Sequence, residues 1–151
     1  MLKTLIPPFL VTLLFLISSP VWGESVTVND LVEREDIVYK KFSGVPFTGE
    51  VTGRHQGKYK DGLRIGTFLE FYENGQLRFK GNYKGGEPDG LIESYYEDGQ
   101  LSGRNYFKDG KQEGSSERYH ENGQLDTKGN FKDGGQEGLW EYFYFTGQLL
   151  S

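Results

Sequence analysis

The hexapeptide Tyr72-Glu73-Asn74-Gly75-Gln76-Leu77 returns as Tyr96-Glu97-Asp98-Gly99-Gln100-Leu101, as His120-Glu121-Asn122-Gly123-Gln124-Leu125, and as Tyr144-Phe145-Thr146-Gly147-Gln148-Leu149. The step is 24 residues each time, without insertions. Other columns keep that step: Gly62, Gly86, Gly110 and Gly134; Gly66, Gly90, Gly114 and Gly138; Lys60, Lys84, Lys108 and Lys132. Aromatic residues fill two more, Tyr59, Tyr83, Phe107 and Phe131, then Phe71, Tyr95, Tyr119 and Phe143. A fixed period of this length marks a repeat array, in which each unit buries its apolar surface only against its neighbours. Four units follow, 57–80, 81–104, 105–128 and 129–151.

Each unit reads as two strands and two turns. Asn74-Gly75, Asp98-Gly99 and Asn122-Gly123 favour a two-residue type I′ turn, whose central residues both need positive φ. Thr146-Gly147 departs from the pattern and predicts a looser turn. The other connection, as in Lys108-Asp109-Gly110-Lys111-Gln112-Glu113-Gly114, reads as a longer polar loop with glycine near both ends. Strands are therefore expected over 66–73 and 76–84, repeating every 24 residues, with all twelve column glycines (Gly62, Gly66, Gly75, Gly86, Gly90, Gly99, Gly110, Gly114, Gly123, Gly134, Gly138, Gly147) serving the turns. The fold class is all-β, an elongated antiparallel meander of hairpins in a single sheet.

The I′ turn also predicts register. Tyr72 then faces Leu77, Phe68 faces Gly81, and Ile92 meets Asn105. The opposite face pairs Glu93 with Arg104 and Glu117 with Lys128, and carries Phe71, Tyr95, Tyr119 and Phe143 as an aromatic row flanked by charge. A three-residue bulged turn would slip this pairing by one. The row is the candidate binding surface, for a partner protein or for stacked sugars; sheet packing accounts for it equally well.

Composition narrows the chemistry. The chain has no cysteine, which excludes disulfides, thiolate metal sites and a thiol nucleophile. A net charge of −5 argues against nucleic acid. There are two histidines: His55 lies in a polar stretch, and His120 replaces a tyrosine in its column, as a packing variant would. The recurring acids Glu73, Glu97 and Glu121, and Asp89, Glu113 and Glu137, match no calcium-loop spacing and read as solvated turn residues. No nucleophile elbow, phosphate loop or dinucleotide fingerprint occurs. No catalytic, metal or cofactor residues are expected, and the chain reads as a non-enzyme.

Residues 1–23 differ from the rest: Lys3, an apolar run from Phe9 to Ile17, then Val21 and Gly23 as small residues before a cleavage point. This pattern predicts a secretory signal peptide and a periplasmic or secreted protein, the alternative being an uncleaved membrane anchor. Residues 24–56 are less regular and read as an N-terminal cap with a degenerate repeat.

The unit read over 81–101, Gly-Asn-Tyr-Lys-x-Gly-x-x-x-Gly-x-x-x-x-Tyr-Tyr-Glu-x-Gly-Gln-Leu, resembles the MORN-variant repeat, whose proteins are often grouped as a YwqK-like antitoxin family. The resemblance implies a β-hairpin repeat fold, a role in binding other macromolecules, and no family catalytic residues. The expected function is thus a protein-interaction module, with homodimerisation by edge-strand pairing predicted from an open C-terminal edge. The alternatives are binding of envelope glycan or membrane lipid through the aromatic row, and an antitoxin or immunity role.

Overall fold

Aromatic and β-branched residues alternating with polar ones between glycine turns leave the backbone one economical solution, neighbouring antiparallel strands. The computed structural model describes residues 24–150; the signal segment assigned to 1–23 lies outside them, as does Ser151. Twelve strands are present among the described residues: β1 Ser25–Thr27, β2 Leu31–Arg34, β3 Ile37–Lys40, β4 Gly49–Thr52, β5 His55–Lys60, β6 Leu63–Phe71, β7 Leu77–Lys84, β8 Glu87–Tyr95, β9 Leu101–Lys108, β10 Lys111–Tyr119, β11 Leu125–Lys132 and β12 Gly135–Tyr142. Ten form one sheet in the order β1-β4-β5-β6-β7-β8-β9-β10-β11-β12, and β2-β3 form a separate hairpin. The meander is therefore real. One departure lies at the N-terminal edge, where β1 runs parallel to β4.

The two turn types are exchanged relative to the sequence expectation. At Asn74-Gly75 only the glycine has positive φ (85°). The Gly75 amide donates to the Tyr72 carbonyl, and the Tyr72 amide to the Gln76 carbonyl, so the loop has three residues and ends in a glycine bulge. Asparagine causes this: Asn74 Oδ1 accepts the Gln76 N–H at 2.9 Å, a side-chain turn that holds Asn74 out of the left-handed region. Asp98 and Asn122 repeat the bond. The two-residue I′ turns lie instead at Asp61-Gly62, Gly85-Gly86, Asp109-Gly110 and Asp133-Gly134, where both residues have positive φ.

What reads as a long polar loop is thus a tight turn followed by strand. Strands begin at Leu63, Glu87 and Lys111, not three residues later. Gly66, Gly90 and Gly114 consequently sit inside strands rather than turns, as does Gly138 in β12, all with positive φ. Each marks a bulge where the ladder to the preceding strand shifts, as between Gln56 and Lys58 opposite Leu69 and Ile65.

Among the described residues, the buried apolar side chains are Val26, Val38, Phe47, Val51 and Phe68. Four of the five belong to the segment before the repeats, where Leu31 and Tyr59 also pack on Val26, Phe47 and Val51. At about 1.5–3 kcal/mol per buried side chain, this N-terminal cluster is the firmest part of the core. Beyond it the sheet is a single layer of half-buried residues. Backbone bonds from turn to turn stitch the units together: Gly86, Gly110 and Gly134 donate at 3.0 Å to the carbonyls of Arg64, Pro88 and Gln112.

Candidate functional site

The aromatic row is assembled, with altered partners. Phe71 faces Leu77, Tyr95 faces Leu101, Tyr119 faces Leu125, and Phe143 bridges to Leu149. The leucines were expected opposite Tyr72 and its equivalents; the three-residue turn moves them by one position. One extra residue per unit, Arg78 in the first, then restores the register, so that Phe68 faces Gly81, Glu93 faces Arg104 and Glu117 faces Lys128 as expected.

Each ring of the row is half-buried, and the polar groups around it are engaged within the sheet. Tyr119 Oη donates a short hydrogen bond to Glu117, which also takes Arg104 Nε at 2.6 Å. Burial first, then the Glu117 carboxylate, pushes the Tyr119 phenol up. Tyr95 is raised likewise by burial, then by Glu93. Lys128 Nζ stands 5.7 Å from the Phe143 ring centroid. The row is bound up in cross-strand packing.

The column beside it joins one repeat to the next. Tyr72 Oη donates to the Tyr95 carbonyl at 2.7 Å, and Tyr96 Oη to the Tyr119 carbonyl at 2.6 Å. His120 Nε2 lies 3.1 Å from the Phe143 carbonyl, so the histidine replaces tyrosine as the donor in the same rung. A second ladder runs along the turns, from Asn74 Nδ2 to the Glu97 carbonyl and from Asn122 Nδ2 to the Phe145 carbonyl. Asp98 has no N–H to give, and Gln100 Nε2 reaches the Glu121 carbonyl in its place. Among the described residues, no three His, Asp or Glu side chains converge as a metal site would require.

Two surfaces break the repeat. The first is the last unit. Where three units carry Glu73, Glu97 and Glu121, the fourth carries Phe145; where they carry Glu70, Ser94 and Arg118, it carries Tyr142; where they carry Arg78, Ser102 and Asp126, it carries Leu150. All three are exposed, as is Leu139 in β12 at 79%. Among the named strands β12 pairs only with β11, and on its other side the Leu150 N–H donates to the Tyr142 carbonyl at its end. The second surface is a polar trough across β8–β12, formed by two hollows of about 310 Å³ each that share Asn105 and Arg118.

The MORN repeat variant model matches residues 64–84, 88–109, 112–133 and 136–151, more than half of the chain. The chain belongs to the MORN repeat variant family. No curated protein matches it beyond that. The first three MORN-variant matches each cover one hairpin closed by the three-residue turn, as β6 with β7 or β8 with β9, the fourth covers β12 and the turn after it, and the I′ turns fall at the match boundaries. The match is to the repeat itself and does not extend to the YwqK-like antitoxin grouping. MORN repeats are commonly modules for protein or membrane interaction, and the family is non-catalytic.

Sequence reasoning ranked the aromatic row first because it repeats. Phe145, Tyr142, Leu150 and Ser116 do not repeat and so escape it, and Asn105 enters only as the residue opposite Ile92. The signal was available as departures from the columns.

Proposed function

We propose that this MORN-variant protein is a non-enzymatic binding module that takes a partner polypeptide on its last repeat, as an added strand along β12. The observation that carries the reading is the replacement of an acidic column, Glu73, Glu97 and Glu121, by Phe145. In the three preceding units this column keeps a solvated carboxylate. The fourth unit carries exposed rings and leucine instead, next to β12, whose edge away from β11 is taken, among the described residues, only at its end, by the Leu150 N–H on the Tyr142 carbonyl, and whose remaining backbone groups can pair with another chain. The matching partner is an extended segment with apolar residues at alternate positions, so that its own side chains meet Leu139 and Phe145. The leader-like residues 1–23 support an extracytoplasmic setting.

Site-specific photo-crosslinking in the native cells tests the proposal. A crosslinker at Leu139 on β12 should capture a discrete partner, and one at Lys80 in the interior of the sheet should not. Restoring the acidic column with Phe145→Glu should abolish the β12 crosslink while leaving the circular dichroism spectrum unchanged. Capture unaffected by Phe145→Glu would refute the assignment. Light scattering on the purified protein shows whether the captured strand belongs to a second copy.

A further inference from the structure

The third repeat departs from its neighbours on the face opposite the aromatic row. In three units a large side chain sits on a glycine eleven residues earlier: Phe68 on Gly57, Ile92 on Gly81, Trp140 on Gly129. An added Cβ at Gly57 or Gly129 would fall 2.5 Å and 2.3 Å from those rings. In the third unit both partners change together, to Ser116 and Asn105. Ring-on-glycine becomes a hydroxyl on an amide, and the volume that a ring would fill is left open.

Replacing an apolar contact by a buried polar pair costs stability unless the polar groups are used. Ser116, 7% exposed, donates from Oγ to Asn105 Oδ1 at 2.6 Å, and Gln112 Nε2 donates to the same oxygen at 3.2 Å. With Oδ1 occupied twice, the two N–H groups of Asn105 Nδ2 are what the amide has left to offer a ligand. Arg118 lies beside it in both hollows and forms none of the salt bridges among the described residues. Phe131 and Trp140, edge to face at 5.1 Å between centroids, wall one end. Among the described residues, Trp140 Nε1 is a buried side-chain nitrogen without a hydrogen-bond partner, the kind of group that calls for an explanation.

We infer that this trough is a binding site for a neutral saccharide chain. Planar amides and a guanidinium beside hydroxyls suit the paired hydroxyl groups of a sugar, and an aromatic wall suits its apolar C–H face. Each hollow has the volume of a small-molecule site at the lower end of the usual range, and their union through Asn105 and Arg118 fits a chain rather than a single ring. An anionic ligand fits poorly, because Arg118 is offset by Asp126 in the same trough and the protein is net negative. The site is independent of the partner strand on the last repeat; Tyr142 borders both surfaces, so the variants below leave it unaltered.

Trp140 supplies the readout. The chain has two tryptophans and ten tyrosines, so Trp22→Phe with excitation selective for indole makes Trp140 the emitter that is read. Tetrasaccharides of β-1,4-linked glucose, β-1,4-linked N-acetylglucosamine and α-1,4-linked glucose are titrated separately into this full-length variant. At least one should change the emission saturably, with half-saturation below about 10 mM. The double variant Asn105→Gly with Ser116→Phe copies the first repeat's pair and fills the hollow. It should keep the strand signal in circular dichroism and weaken binding at least about tenfold. Should that pair misfold, Arg118→Gln on the surface should produce a loss of similar size. No response to any of the three probes at about 10 mM, or equal affinity in a folded filled variant, overturns the assignment.

Discussion

Substituting Gly57 with alanine tests whether the first repeat is held by the contact described above. Gly57 has no positive φ, so the backbone tolerates a side chain and the consequence is steric. The new Cβ would lie 2.5 Å from Phe68 Cδ1 and Cε1 and 2.7 Å from Cγ, well inside contact distance. The ring cannot swing away freely: Tyr59 lies edge-on at 5.2 Å, Tyr83 at 5.3 Å, and the Arg64 guanidinium at 5.5 Å. Overpacking of this kind costs about 1–3 kcal/mol. Removing a glycine from a strand returns about 0.5–1 kcal/mol. The expected net loss is about 1–2 kcal/mol, read as a lower urea midpoint and as a fall in Tm of roughly 3–10 °C. The control is the double-mutant cycle with Phe68→Ala. Without the ring, Gly57→Ala should be neutral or stabilising, giving a coupling of about 1 kcal/mol or more between the two positions. A Gly57→Ala protein as stable as its parent, or a cost that persists without Phe68, would refute the packing argument.

Three further outcomes are expected. Tyr96→Phe removes the rung to the Tyr119 carbonyl and should cost about 0.5–1.5 kcal/mol in urea unfolding, with the dichroism spectrum retained. The Glu117 carboxyl is held below the usual 4.5, first by the hydrogen bond from Arg104 and then by that from Tyr119. Its stabilisation is thus full above 4.5 and lost as pH falls through the lower folded value. The midpoint gap between parent and Glu117→Gln should therefore narrow in acid; a gap independent of pH would contradict the linkage. Intact mass of the protein recovered from the medium or periplasm should begin at Glu24, and retention of residues 1–23 would favour the membrane anchor.

Much of this molecule is local, and what is local is legible in the sequence. A hairpin pairs residues close in the chain, so the 24-residue period carries the meander, its order and the facing of Glu93 with Arg104 and Glu117 with Lys128. Turn type was less accessible, because Asn-Gly and Asp-Gly both favour positive φ. The choice fell to a hydrogen bond from the Gln76 amide to Asn74 Oδ1, which the dipeptide alone does not announce. The bulges at Gly66, Gly90, Gly114 and Gly138 were hidden for the same reason: positive φ does not say whether a glycine closes a turn or bends a strand.

By itself, then, the sequence determined a β-repeat protein of four hairpins, the columns that hold it together, and a chain without a catalytic constellation to read. Tertiary structure alone decided which departures from the columns belong together. Asn105 and Ser116 are eleven residues apart and meet only because the Asp109-Gly110 turn is a two-residue I′ hairpin and Gly114 a bulge. Comparing residues 24 apart reveals what the repeats share. A site arises where side chains on neighbouring strands depart from that pattern together, and register sets which ones are neighbours.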